Sequence, residues 1–330
     1  MKTFDYSNVN LAYPKILKVI KKEGVDVSPR GLQTKELLAC LTRITSPQQR
    51  VLTTYDRQTN IFFLVAEALW ILNGDSSVDW ITHYNSKLQE FVDEGYENFH
   101  GAYGTRIRKY NKDKSGFIIG NFTIDQLQDV YEKLKTDPTT RQAVITLWNP
   151  NFDNSKSKDI PCNNWASIKI REGKLHWHQA TRSNDVNLGL FPTNFFQFSM
   201  IQSVLAGWLG IEEGELIFFS SSLHLYKDSK ITERVLDNDI IFDVYDYCKE
   251  ADVKLPKKEF DETLAAIIAE EKRLRKGQSR ILFLDNTWWN DVITLLEVWN
   301  LRKQKKYAYA LTRTFTIKVG QCRSVDFLEC

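Results

Sequence analysis

The sequence predicts an α/β (α+β) domain in which strands and helices stack as layers. Three observations point to it. Residues 165–170 alternate apolar and polar side chains with a period of two, the mark of a half-buried strand. Two more strand-like runs, 143–148 and 216–219, lie on either side of it. Helical apolar spacing fills the intervals: residues 60–72 form a strongly apolar helix, and 194–209 repeat the pattern up to Gly210.

Taken in order, residues 8–23 read as an amphipathic helix, with Leu11, Ile16, Leu17, Val19 and Ile20 set among lysines. A turn-rich stretch through Gly24 and Pro29 leads to Arg30-Gly31, and residues 37–42 suit a strand. The helix at 60–72 carries one acid, Glu67, and ends at Asn73-Gly74-Asp75. Residues 78–91 are expected to be helical, followed by a flexible segment to Tyr103-Gly104 and a helix at 124–134. The turn at Asp137-Pro138 delivers Arg141 to the next strand. After Tyr226 the chain becomes rich in Lys, Asp and Glu, with helices expected at 259–275 and 290–305. The domain division that follows is 1–250 for a catalytic unit and 251–330 for a mainly helical C-terminal extension.

The composition narrows the class. The chain has 330 residues, 42% hydrophobic and 26% charged, an ordinary globular balance. A net charge of +2 argues against general nucleic-acid binding, and the basic run 303–306 reads as a solvated helix face. No apolar run is long enough for a membrane span, and the first residues lack a signal-peptide core. Five scattered cysteines with no CxxC fit a reducing, cytoplasmic setting, and the five histidines form no metal constellation. His176 and His178, two apart in a strand-like run, should share one sheet face.

Candidate chemistry gathers between Pro161 and Tyr226. A lone cysteine is usually a buried structural thiol; Cys162 becomes a nucleophile only with positive charge nearby, and Arg182 lies one strand downstream. Arg182-Ser183 can bind a phosphate through a bidentate guanidinium beside a hydroxyl. Asp185, Asn194, His224 and Tyr226 are each as consistent with structure as with function, and their order decides between them.

That order resembles the signature of the thymidylate synthase and pyrimidine-nucleotide hydroxymethylase family. The matching residues are Pro161-Cys162, Arg182-Ser183-x-Asp185, Leu188-Gly189, Asn194 and His224-x-Tyr226. Upstream, Arg30-Gly31, Glu67-x-x-Trp70-x-x-x-Gly74-Asp75, Tyr103-Gly104, Asp137-Pro138-x-x-Arg141 and Trp148-Asn149 follow in register. The resemblance implies a large twisted mixed sheet with helices on one face, paired back-to-back in a homodimer. It implies a Cys162 thiolate that adds to C6 of a pyrimidine nucleoside monophosphate, with 5,10-methylenetetrahydrofolate as co-substrate and no metal. Arg30, Arg182 and Ser183 would hold the 5′-phosphate, and Arg141 would reach the partner subunit's phosphate. Glu67 would organise proton transfers, and Tyr103 would lie beside cysteine and ring. Asn194 would bond the pyrimidine edge, His224 and Tyr226 the sugar hydroxyl, and Asp185 with Gly189 the folate.

Departures from the family refine the expectation. Asn163 stands where most thymidylate synthases have His, and Gln142 follows Arg141 where they have a second arginine. Residues 86–92 contain none of the tryptophans that cover the folate in those enzymes. Water would then reach the methylene group before hydride, which favours 5-hydroxymethylation over reductive methylation to dTMP. Cytosine-specific hydroxymethylases have Asp at the position of Asn194; a carboxamide offers both donor and acceptor, which suits uracil and hence dUMP. The end of the chain lacks the family's short apolar closing tail. The alternatives are a thymidylate synthase, a cytosine-nucleotide hydroxymethylase, and a silent nucleotide binder. The retention of Cys162, Glu67, Arg182 and Asp185 together argues against the last.

Overall fold

The computed structural model describes residues 1–116, 118, 122–237, 243–246, 252–306, 318–319 and 322–323. The expectation about the closing tail falls outside them. The chain begins with β1 (Lys2–Tyr6), α1 (Val9–Glu23), β2 (Val25–Val27) and β3 (Thr34–Ile44). Four helices follow: α2 (Ile61–Leu72), α3 (Val78–Tyr84), α4 (Tyr103–Arg108) and α5 (Gln126–Thr136). The centre holds β4 (Val144–Thr146), α6 (Pro150–Asp153), β5 (Asn163–Arg171), β6 (Lys174–Thr181), β7 (Asn184–Asp185), α7 (Phe195–Leu209) and β8 (Glu212–Tyr226). Helices α8 (Lys230–Asp237), α9 (Lys257–Arg275) and α10 (Thr287–Lys303) follow, then a two-strand pair, β9 (Lys318–Val319) and β10 (Cys322–Arg323).

Eight strands form one mixed sheet in the order β1-β3-β8-β6-β5-β4, with β2 beside β3 and β7 beside β8. The pairs β1·β3 and β6·β8 are parallel; β3·β8, β5·β6 and β4·β5 are antiparallel. One face is covered by helices. Leu175, Trp177, Leu216 and Phe218 point into it and meet α7, whose Phe195, Phe198 and Leu205 are buried. Along the other face the register lines up Leu41, Phe219, Ala180 and Trp165 across four strands. Phe219 and Trp165 are exposed there.

Several expected elements differ in extent, three of them for a local reason or with a consequence for the site. The helix read at 78–91 stops at Tyr84, because Asn85 adopts an extended conformation; its carboxamide then caps a separate turn, Ser86–Phe91. The helix read from 124 starts at Gln126, since Asp125 accepts the Gln128 N–H and caps it. The strand read as 216–219 runs on to Tyr226, so Ser222, His224 and Tyr226 lie on a strand and not after one.

Helices α9 and α10 bury Leu264, Ile267, Trp289, Ile293 and Leu296 in the same apolar cluster as α2 and α7. They also grip α3 through polar contacts. The Tyr84 hydroxyl donates to Glu271 at 3.0 Å, and His83 meets Asn300 at 3.0 Å. The Trp299 N–H donates to the His83 carbonyl at 3.1 Å, and its ring stacks on Tyr84 at 5.9 Å. Trp289 is fully buried against Phe260, its N–H on the Val253 carbonyl. Trp289→Ala removes this packing and should cost about 3–5 kcal/mol in urea denaturation. A loss below about 1 kcal/mol would mean that the C-terminal helices contribute little to the core.

Candidate active site

Sheet register builds the site. Cys162 precedes β5, and the first pair of β5 with β6 is Asn163 with Thr181. Arg182 therefore lies beside Cys162, its backbone N–H donating to the Cys162 carbonyl at 2.9 Å. Thr181 pairs in turn with Ser220, Asp185 with His224, and Thr34 with Tyr226. All these residues converge on one end of the sheet. The Arg182 guanidinium donates from Nε to the Pro161 carbonyl and from Nη2 to the Ile160 carbonyl, both at 2.9 Å. It thus braces the backbone that carries the thiol and remains exposed.

Cys162 opens into a cavity of about 140 Å³. Glu67, Tyr103 and Asp159 line it with the thiol; Trp70, Ile81, Leu88, Phe91 and Phe99 supply an apolar wall. Glu67 is enclosed by protein but open to the cavity, and its Oε2 accepts the Gln197 side-chain N–H at 2.8 Å. Burial pushes its carboxyl up to about 8; Gln197 opposes this and the Asp159 charge adds to it. Burial also raises the Cys162 thiol, against the lowering influence of Arg182 and Arg30. The Tyr103 hydroxyl accepts from the Asn163 side chain at 2.8 Å and from its backbone N–H at 3.3 Å, which leaves its own proton free to face the cavity.

The other expected residues fall around this centre. Asp185 accepts the Asn187 N–H at 3.1 Å, and burial lifts its carboxyl to about 6. Gly189 lies so close to Asn184 that a Cβ would come within 2.9 Å of its Oδ1. Asn194 is buried, its Nδ2 3.4 Å from the same oxygen. Arg30, in a left-handed conformation (φ 55°), is exposed and bonds Tyr226. The His224 and Tyr226 rings meet edge-on at 5.7 Å, and burial lowers the His224 pKa, which keeps it neutral. Ser183 follows Arg182 at the strand end, half-buried. Arg141 does not join them. The register pairs Val144 with Ser167, which sets the exposed Arg141 level with Ile170. That is roughly 26 Å along β5 from Cys162.

The thymidylate synthase family profile matches residues 11–259. The chain belongs to that family. It is 42% identical over 240 residues to the deoxyuridylate hydroxymethyltransferase of Bacillus phage SP01, covering 71% of this chain and 62% of that protein. It is 30% identical over 231 residues to the deoxyuridylate hydroxymethyltransferase of Pseudomonas phage M6, covering 69% and 62%. It is 27% identical over 224 residues to the thymidylate synthase of Corynebacterium aurimucosum, covering 67% and 79%. The chain thus spans about three-fifths of the length of the two phage proteins.

Sequence reasoning missed several residues. Asp159 belongs to none of the motifs, yet it lines the cavity. Arg57 is buried with Nη2 on the Asn187 carbonyl at 2.6 Å, close enough to Asp185 to offset part of the rise that burial causes there. Tyr13 donates to Asn187 Oδ1 at 2.8 Å and fixes the same loop from α1. Gln197 was read only as a helix residue. Gln197 is one of several polar side chains on α7, with Ser199, Gln202 and Ser203, so its type alone did not single it out; nothing local marked Arg57.

A carboxyl raised on folding costs stability when it ionises. Glu67 has an ordinary value of 4.5 and a folded value of about 8, so the folded state holds its proton while the unfolded state releases it. Wild-type stability should fall as pH rises through that window. Glu67→Gln lacks the effect, and its advantage in urea denaturation should grow from pH about 4.5 to about 8, then level off. A difference that stays constant with pH would contradict the raised carboxyl.

Proposed function

We propose that this protein transfers a one-carbon unit from 5,10-methylenetetrahydrofolate to C5 of dUMP, and that water completes the transfer to give the 5-hydroxymethyl nucleotide. The observation that carries the reading is the convergence of Cys162, Glu67 and Tyr103 on one cavity whose outer wall is Leu88 and the exposed Phe91. The apolar wall suits a flat pterin. Among the described residues no tryptophan closes the outer side: Trp80 is turned inward, fully buried, with its N–H on the Ala66 carbonyl. Similarity to two deoxyuridylate hydroxymethyltransferases supports the same product.

In this reading the Cys162 thiolate adds to C6, which makes C5 nucleophilic. Arg30, Arg182 and Ser183 hold the 5′-phosphate; the Arg182 bonds to carbonyls 160 and 161 leave Nη1 for the anion. Asn194 reads O4 and N3–H of uracil, His224 and Tyr226 hold the sugar hydroxyl, and Asp185 with Gly189 meets the pterin. Glu67 relays protons through water. Arg141, too distant for its own site, serves a partner's phosphate in a homodimer formed through the uncovered sheet face with Leu41, Phe219 and Trp165. Residues 1–250 form the catalytic unit, and the helices beyond brace it. A reducing cytoplasm would keep Cys162 a thiol.

Incubation with methylenetetrahydrofolate and, separately, dUMP, dCMP, UMP and CMP tests the substrate and the product together. Mass spectrometry should find hydroxymethyl-dUMP; dTMP would make water capture wrong, and no product from any nucleotide would reject the enzyme reading. Cys162→Ala should abolish tritium release from C5-labelled dUMP while nucleotide binding persists. Arg141→Ala should also be inactive. Mixed and refolded together, the two variants should recover activity, since a heterodimer contains one site with both native residues. No recovery would refute the shared site.

A further inference from the structure

We propose that Asp159 is the general base that takes a proton from the water as that water captures the methylene group. This rests on the hydroxymethyl reading above and assigns the water a partner within the site. Three observations place Asp159 for the task. It stands three residues before Cys162 and lines the same cavity as Glu67, Tyr103 and the thiol. Its Oδ2 is fixed by the Gly101 N–H at 2.7 Å, and among the described residues Oδ1 has no donor. The fit to Gly101 is tight: a Cβ there would come within 2.7 Å of the Asp159 carbonyl and 3.1 Å of Oδ1. The carboxylate is therefore positioned through one oxygen and open through the other.

The remaining polar groups in the cavity have other commitments. Cys162 is bonded to C6 when water arrives. The Tyr103 oxygen already accepts two N–H groups from Asn163. Glu67 is bound by Gln197 and keeps its proton up to pH about 8, so at neutral pH it cannot readily accept another. Asp159 is also raised by burial and by Asp93, but Gly101 N–H, His100 and Arg106 act in the opposite sense. Its charge is among the causes that keep Glu67 protonated. Two acids thus share one cavity: Glu67 holds its proton up to pH about 8, while Asp159 has a backbone N–H and two cationic neighbours that oppose the effect of burial and, among the described residues, an oxygen without a donor.

The step balances without a further reagent. Tetrahydrofolate has already left, which leaves an exocyclic methylene at C5 and Cys162 on C6. The water oxygen bonds to the methylene carbon as Asp159 removes its proton, and the π pair moves to the C4 oxygen. The pair then returns to form the C5–C6 double bond and expels the Cys162 thiolate. The proton on Asp159 passes to solvent through the open side. The products are the hydroxymethyl nucleotide, tetrahydrofolate and free enzyme.

Asp159→Asn tests this, because its carboxamide oxygen can still accept from Gly101. In a single turnover with C5-tritiated dUMP, tritium release should stay within about threefold of wild type, while hydroxymethyl-dUMP falls roughly 10²-fold or more. Protein mass spectrometry should show the nucleotide-methylene adduct accumulating on Cys162. An added thiol, which attacks as thiolate and needs no base, should clear the adduct at a rate close to wild type. Hydroxymethyl product at the wild-type rate would overturn the proposal, as would equal losses of tritium release and product. If the Asn variant does not fold, Asp159→Glu is read by the same ratio: near wild type supports the carboxylate, and a fall of about 10²-fold counts against it. Wild-type enzyme that makes dTMP or nothing rejects the functional reading itself, a result independent of the variants.

Discussion

Antiparallel pairing of Asn163 with Thr181 supports everything else at this site. It sets the start of β5 beside the end of β6, so that Cys162 and Arg182 become neighbours although twenty residues separate them in the chain. The β6·β8 register then brings Ser220 to Thr181, and β8 runs on to deliver His224 and Tyr226 beside Asp185 and Thr34. A slip of one residue in any ladder would turn these side chains to the other face and bury the wrong set. The packing of Trp177, Phe198 and Phe218 beneath the sheet opposes such a slip, since each is fully buried only in this register.

Desolvation is the second organising effect. It is the first cause of the raised pKa at Glu67, Asp159, Cys162 and Asp185, because each lies against apolar wall or enclosed backbone. Local partners then separate groups that burial alone would treat alike. Gln197 holds one oxygen of Glu67, Gly101 one oxygen of Asp159, and Arg182 offsets part of the cost at the thiol. The enclosure that desolvates these carboxyls therefore prepares them for proton transfer.

The C-terminal helices belong to this arrangement through α3. Ile81 of α3 reaches the cavity, and Leu88 and Phe91 follow from the turn after it. Behind it, Tyr84 is held by Glu271 and His83 by Asn300, with Trp299 stacked between. Glu271 is completely buried and bound by Arg275 at 3.2 Å, so this contact is costly to break. This part of the cavity wall thus depends on residues about two hundred positions later in the chain.

Much of the fold, and the order of the candidate site residues, was legible in the sequence. Period-two alternation marked β5, and the apolar runs marked α2 and α7, because sheet and helix geometry impose those periods locally. Cys162, Arg182, Asp185 and Glu67 could be named from motif order alone. Helix ends at Asn85 and Asp125 were misplaced because single capping side chains compete with propensity there. The extent of β8 was underestimated because Ser220, Ser221 and Ser222 carry no alternation. Only the tertiary structure decided that Asp159 faces the cavity, that Arg57 lies buried near Asp185, and that Arg141 stands apart from the thiol. Those facts follow from strand register and from loops folded over a neighbour's backbone, which are long-range constraints with no local periodicity to record them.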